Sequence, residues 1–271
     1  LLAKAHPALP PAELKIIKTT GDQVQDRALS EIGGKGLFTK EIEEALRQGQ
    51  IDLAVHSMKD VETRLPDGLT IDCILPRADP RDVLLCGAGL TASGIAALPP
   101  GTVLGTSSLR RAAQALALRP DLKITPLRGN VGTRIAKLAP GAATLLARAG
   151  LERLGLTPAG AVLLPVTEML PAVAQGAIGI ERRAQDQRVA ELLAPLDHAQ
   201  SRCEVEAERA LLAALDGSCR TPIAALARVT GAKLQLDALV VRADGSGLRR
   251  ATRSGNITDA SAIGRAAGEA L

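Results

Sequence analysis

The chain has 271 residues, 46% of them hydrophobic, which is enough for two or three small domains with real cores; 33 basic against 29 acidic side chains leave a net charge of +4 and no polybasic tail. A single aromatic residue, Phe38, offers almost nothing on which nucleic-acid bases could stack, and no apolar run reaches the length of a membrane span, so neither a nucleic acid nor a membrane is expected as a partner. Cys73, Cys86, Cys203 and Cys219 lack paired spacing and the three histidines are scattered, which predicts no metal site and no disulfide framework; the start LLAKAHPALPP lacks a signal peptide's order, and a cytoplasmic protein is expected.

In chain order, the extended ELKIIKTTG is followed by LFTKEIEEALRQGQ, which places Leu37, Ile42, Ala45 and Leu46 on one helical face. IDLAVHS then reads as a strand buried on both sides, completing a β-α-β unit of a parallel sheet. LPRADPRD, residues 75–82, concentrates Pro and charge, and β/α alternation restarts after it: TVLGT, a helix from Ser107, KITPL, a helix from Asn130, ATLLA, and a helix through GLERLGL. A Pro-bounded helix, EMLPAVAQG, leads to a strand, AIGIE at 177–181, that is free to return to the first sheet. From about residue 199 the texture changes to a helix ending at Gly217, then PIAALARV, KLQLDALVVRADG and LRRATRSG, which predict a small antiparallel sheet with a closing helix. The domains expected are residues 1–77 with 175–198, residues 78–174, and residues 199–271.

Four places carry candidate chemistry. His56-Ser57-Met58-Lys59-Asp60 follows a strand, where ligands sit in open α/β sheets; the Lys-Asp pair suits an anion and a proton, or is a solvated loop. In GTSSLRRAAQ, Ser107 or Ser108 is a plausible cap, so free N–H groups and a positive dipole end lie beside Arg110 and Arg111. The apolar positions 109, 112, 113 and 116 leave both arginines partly outside the core face, so they either line an anion pocket or face solvent. Arg128-Gly129-Asn130 repeats the design, with Arg134 one turn inside the next helix. Cys219, in Gly217-Ser218-Cys219-Arg220, is either a small buried apolar residue or a nucleophile helped by Arg220. Lys35 and Phe38 in GGKGLFTKE suit a mobile lid or an ordinary loop.

Taken together and in this order, GGKGLFTKEIEEAL, DLAVHSMKD, GTSSLRRAAQ, LRGNVGTR, AGLERLGL, QGAIGIE and GSCRTPIA closely resemble the porphobilinogen deaminase, or hydroxymethylbilane synthase, family over nearly the whole chain. The resemblance implies an α/β fold: two periplasmic-binding-protein-like α/β domains with the active cleft between them, and a small C-terminal α+β domain with an antiparallel sheet. It implies a dipyrromethane cofactor held by Cys219 through a thioether, and a monomeric transferase of tetrapyrrole and heme biosynthesis. That enzyme joins four porphobilinogen molecules head to tail, with loss of ammonia, into hydroxymethylbilane. Matched by motif, Asp60 is the catalytic carboxylate; Ser57, Lys59, Ser107, Ser108, Arg110, Arg111, Arg128 and Gly129 hold the cofactor with Cys219, while Arg134, Arg153 and Gln175 serve the growing chain and incoming substrate. Each pyrrole bears an acetate and a propionate, so a polycarboxylate is the anion that the forked guanidinium groups would meet. Two departures from the family pattern lie close to these residues: Glu62 stands where a proline is usual and Ala174 where a glycine is usual. The competing reading is a non-catalytic, two-lobed carboxylate-binding protein, which has no need of Cys219.

Overall fold

The computed structural model describes residues 1–19, 39–217 and 221–271. Its first elements are a single helical turn, α1 (Leu2–Ala5), and α2 (Lys40–Arg47), which carries Glu41 and Glu43 in its first turn and Arg47 in its last, each matched to the helix dipole. Leu46 of α2 is buried against Ala54 and Leu69, with Ile42 packed beside them, and Ala45 is buried too. The strand β1 (Leu53–Ser57) buries Ala54 and His56 but leaves Val55 60% exposed. The expectation of a strand covered on both faces is therefore corrected: a short apolar run does not distinguish that case from a strand covered on one face.

The strands β2 (Leu69–Ile74), β3 (Asp82–Cys86) and β4 (Val103–Gly105) precede α3 (Leu109–Leu118). Then come β5 (Lys123–Thr125), α4 (Val131–Ala136), β6 (Ala143–Ala147), α5 (Arg148–Arg153), β7 (Val162–Leu163), β8 (Ile178–Arg183) and α6 (Gln187–Leu193). The C-terminal part holds α7 (Ala199–Ala214), β9 (Ile223–Thr230), β10 (Lys233–Val240), β11 (Arg249–Asn256) and α8 (Ala260–Glu269).

Three sheets organise these elements. The first has the order β1-β8-β2, with β8 antiparallel to both neighbours, so β8 does return to the first sheet. Among the described residues no parallel β-α-β unit forms there, because residues 13–19 join no sheet. The second sheet has the order β5-β4-β6-β3-β7; β4 runs parallel to β5 and β6, whereas β3 runs antiparallel to β6 and β7. The third is the antiparallel meander β11-β10-β9. This is the α/β class with a C-terminal α+β part that the sequence predicts.

Two predicted helices are corrected. EMLPAVAQG forms successive turns, since Pro171 has no N–H to donate and Ala174 sits at φ +58°, outside the right-handed helical region. The helix through GLERLGL stops at Arg153: Gly155 takes φ +63°, its N–H donates to Glu152 O and that of Leu156 to Leu151 O, which is a Schellman end. The helix α7 ends the same way, but with Asp216 (φ +46°) as the left-handed residue and not Gly217.

The meander is buried on both faces. One face, with Ala225, Ala227, Leu234 and Leu236, packs on Val205 and Leu211 of α7 and Ile263 and Ala267 of α8; the same cluster takes in Met58, Val61 and Ile74 of the first sheet region. The other face, with Leu226 and Leu239, meets Ala113 of α3 and Leu170. The third sheet thus packs against the ends of β1 and β2 on one side and against α3 on the other, and burial of these apolar side chains at roughly 25 cal/mol per Å² is the main force holding the parts together.

Candidate active site

The first wall of the site is the end of β1. A 3-10 turn, Met58–Asp60, follows Ser57; Met58 is buried and its N–H donates to Ala177 O at 3.1 Å, which fixes the turn and leaves Ser57 and Lys59 half-buried and Asp60 exposed. The second wall is the start of α3. Ser108 is the cap and its Oγ accepts from Arg111 N at 3.4 Å, while Thr106 Oγ1 accepts from Ser108 N at 3.2 Å and the exposed Ser107 donates to Leu127 O at 3.3 Å.

Arg110 and Arg111 do not lie partly outside the core, as the helical spacing suggested: each is 5% exposed. The reason is tertiary, since α3 lies between the second and third sheets and residues 110–115 are all buried. What admits two guanidinium groups there is Asp82, the first residue of β3, which is fully buried. Arg110 Nη1 donates to Asp82 Oδ2 at 2.7 Å and to Leu170 O at 2.8 Å; Arg111 donates to Asp82 Oδ1 from Nη2 at 2.7 Å and from Nε at 3.1 Å, and to Leu145 O at 3.0 Å. Burial alone would raise the Asp82 pKa, but the two adjacent guanidinium charges outweigh it and hold the carboxyl well below the usual range. Burial pulls the Arg110 pKa down while Asp82 opposes it.

The third wall repeats the capped design. Asn130 Oδ1 accepts from Thr133 N at 2.8 Å to start α4, and Gly129, at φ +118°, has no room for a side chain, since a Cβ would lie 2.6 Å from Thr133 Cγ2. Arg128 and Arg134 are half-buried. The three walls converge electrostatically. Burial lowers the Lys59 pKa, Asp60 and Asp82 raise it, and Arg111 and Arg110 lower it; burial and Arg111 lower that of Arg134, and Asp60 raises it. Lys59, Arg110, Arg111 and Arg134 are thus set against two carboxylates, Asp60 and Asp82, which leaves an excess of positive charge in a poorly hydrated place. Among the described residues, the buried Nε atoms of Arg110 and Arg134 have no hydrogen-bond partner. The donor chemistry of such an arrangement suits anions such as carboxylates and phosphates.

Two predicted site residues stand in other positions than expected. Gln175 is 1% exposed and its amide is spent inside the protein: Nε2 donates to Pro80 O at 2.7 Å and Asp82 Oδ1 at 3.0 Å, and Oε1 accepts from Arg110 at 3.4 Å. It braces Asp82 and Arg110 and presents no free group to an incoming molecule. Arg153, at the end of α5, is largely exposed and donates from Nη2 to Gly176 O at 2.7 Å; burial of its guanidinium end lowers its pKa. Cys219, Lys35 and Phe38 lie outside the described residues; the described flanks of Cys219 are Gly217, at the end of α7, and Thr221, just before β9.

Sequence reasoning missed Asp82 and Glu208. The fully buried Glu208 accepts from Arg77 at 2.6 and 3.0 Å, from Ala174 N at 2.6 Å and from Ala227 N at 2.8 Å, tying α7 to the crossing between the first two sheets. Both carried a signal: Asp82 opens the apolar strand DVLLC, and Glu208 falls on the apolar face of α7 with Val205 and Leu211. A carboxylate in such a place requires a buried cation.

The family model described as porphobilinogen deaminase, dipyromethane cofactor binding domain, matches residues 2–191, and that described as porphobilinogen deaminase, C-terminal domain, matches residues 202–271. The chain is 54% identical over 258 residues to the porphobilinogen deaminase of Paracoccus denitrificans, covering 94% of this chain and 82% of that one. It is 48% identical over 273 residues to that of Nitrobacter hamburgensis, covering 100% and 85%. To the chloroplastic porphobilinogen deaminase of Oryza sativa it is 52% identical over 246 residues, covering 90% and 68%.

Proposed function

This chain belongs to the porphobilinogen deaminase family, and from that premise we propose that it joins four porphobilinogen units head to tail into hydroxymethylbilane, releasing ammonia with each, on a dipyrromethane primer bound to Cys219. The observation that carries the reading is the pair of guanidinium groups of Arg110 and Arg111 bridged by Asp82 at the start of α3, with the buried Nε donors of Arg110 and Arg134 unpartnered among the described residues. A ladder of pyrrole acetates and propionates supplies the acceptors that such donors need, so the residues present fit the group. When bound, the dipyrromethane supplies the pyrrole end from which the chain grows.

Ser57, Lys59, Ser107, Ser108, Arg110, Arg111, Arg128 and Gly129 hold the cofactor's carboxylates, where capped helix starts add N–H donors to the charge of the side chains. Arg134 and Arg153 receive carboxylates of the growing chain and the incoming unit. Gln175 acts behind them, as a positioning residue for Arg110 and Asp82. Asp60, at the exposed mouth of the cluster, faces the pyrrole nitrogen of the reacting unit; its negative charge stabilises the cation that develops as ammonia leaves, and its carboxylate moves the proton. The same carboxylate serves each addition.

The three units of the chain are residues 1–77 with 175–198, 78–174 and 199–271, a division supported by the membership of the three sheets. The protein works as a cytoplasmic monomer, which sedimentation and cell fractionation test. A non-catalytic carboxylate-binding role leaves the match to a dipyrromethane-cofactor-binding domain without a use.

Denaturing intact-mass measurement tests the reading: the wild-type chain should carry the dipyrromethane mass on the Cys219 peptide, and Cys219→Ser should fold, carry none and be inactive. Asp60→Asn keeps size while removing charge, so turnover should fall by about a hundredfold or more, with cofactor occupancy measured beside it. Active wild type with an unmodified Cys219, or near-normal turnover in Asp60→Asn, would defeat the assignment.

A further inference from the structure

Asp82 makes no contact with the exposed part of the cluster, yet the placement of two of its guanidinium groups depends on it. Its own position is set by the second sheet: it pairs with Ala147 across β3 and β6, and its carbonyl accepts from Leu164 N at 2.9 Å. From that fixed point Oδ2 receives Arg110, and Oδ1 receives both Arg111 donors together with Gln175 Nε2. Backbone carbonyls of Leu170 and Leu145 take a further donor from each arginine, which fixes the plane of each guanidinium from two directions. Two buried guanidinium groups side by side repel each other, and a single carboxylate bridging them removes that repulsion.

We propose that Asp82 is a positioning residue that stands in for a ligand carboxylate: it orients Arg110 and Arg111 and balances part of their charge in the cofactor-free protein, so that the seat is formed before the cofactor arrives. The proposal rests on the cluster being the seat of the cofactor. It separates the two carboxylates of the site by task, Asp60 toward the reacting unit and Asp82 toward the arginines. It also gives a reason for an acidic side chain at the centre of an anion-binding site, where it would otherwise weaken binding. Preorganised donors lose less freedom when a ligand docks.

Four chains test this: wild type, Asp82→Asn, Cys219→Ser, and the double variant Asp82→Asn with Cys219→Ser, each unfolded in urea at equilibrium. In the cofactor-loaded background the ligand's carboxylates compensate the arginines, whereas in the Cys219→Ser background nothing replaces the lost charge. Asp82→Asn should therefore shift the unfolding constant roughly ten- to a hundredfold further in the cofactor-free background, the range expected for one charge-assisted hydrogen bond. Equal shifts in the two backgrounds would overturn the proposal, since a purely structural partner is worth the same in both. If Asp82→Asn is recovered folded in neither background, Asp82→Glu decides, because it keeps the charge but moves the carboxylate by one methylene. It should load Cys219 incompletely and raise KM for porphobilinogen several-fold more than it lowers kcat, and full loading with wild-type KM would overturn the proposal. A wild-type chain without the dipyrromethane mass defeats the functional reading itself; a loaded wild type with equal shifts defeats only the role of Asp82.

Discussion

The starts of α3 and α4 share one local plan of strand end, turn, polar cap and an arginine in the first turn or just beyond, yet their arginines meet different surroundings. At α3 the neighbouring third sheet covers the helix, and Arg110 and Arg111 are buried against Asp82. At α4 no residue of the helix is fully buried, and Arg134 keeps a buried Nε without a partner among the described residues. The same capped start therefore presents arginines already paired with a carboxylate of the chain in one place and an arginine with no described ion pair in the other. What decides between them is whether a carboxylate of the chain reaches the guanidinium first.

Removing one arginine from each helix start tests that contrast most strongly. Arg111→Ala removes one partner of a fully desolvated group and leaves Asp82 with Arg110 and Gln175, which should cost about 1.5–3 kcal/mol of folding stability and yield mostly unloaded Cys219. Arg134→Ala removes no described hydrogen bond, so its stability should stay within about 0.5 kcal/mol of wild type. Its effect should instead fall on binding, with affinity for porphobilinogen or the growing chain weakened roughly ten- to a hundredfold. Urea titrations beside saturation kinetics measure both; equal stability losses would erase the distinction between the two helix starts.

The caps should separate the sites less, and in the opposite sense. Asn130 bonds Thr133 N at 2.8 Å and holds a helix of only six residues, whereas Ser108 reaches Arg111 N at 3.4 Å on a helix that packing already holds. Asn130→Ala should cost about 1–2 kcal/mol and Ser108→Ala about 0.5 kcal/mol, read from thermal unfolding midpoints. A larger loss for Ser108→Ala would mean that its hydroxyl bears more of the α3 start than this bond indicates.

A comparably small effect, of opposite sign, lies at Ala174, in the crossing between the first two sheets. Its φ of +58° suits glycine, and its N–H is held at 2.6 Å by Glu208, so the strained conformation is fixed from outside. Ala174→Gly relieves about 1–2 kcal/mol of left-handed strain and loses part of that to the greater freedom of glycine in the unfolded chain. A net gain of about 0.5–1 kcal/mol in urea unfolding is expected; a loss would show that the methyl group's packing outweighs the strain.

The usual glycine at this position in the family pattern therefore has a backbone cause, one invisible until the dihedral is known. Other features were legible earlier. The strands β4, β5 and β6 and the helices between them could be read because Ser108 and Asn130 mark their starts and short apolar runs mark the strands. EMLPAVAQG misled because its apolar spacing imitates a helix, while Pro171 and the bond that Ala174 N–H donates to Glu208 impose turns. The burial of Arg110 and Arg111 was hidden because a helical projection knows only its own helix, and the third sheet that covers α3 comes more than a hundred residues later. Asp60, Lys59 and Arg134 could be named as candidates one by one, but their convergence required the fold.

The position of β8 between β1 and β2 also sets an order of events at the ribosome. Its two partners are separated from it by roughly a hundred residues or more, and neither pairs with the other, so the first sheet has no hydrogen-bonded pair of these strands until Ile178–Arg183 has emerged. All strands of the second sheet lie between β2 and β8, within one uninterrupted stretch from Asp82 to Leu163. During synthesis at about 5–20 residues per second, the strands of the second sheet have therefore all emerged roughly one to four seconds before β8 has, and among the described strands β1 and β2 have no partner through that interval.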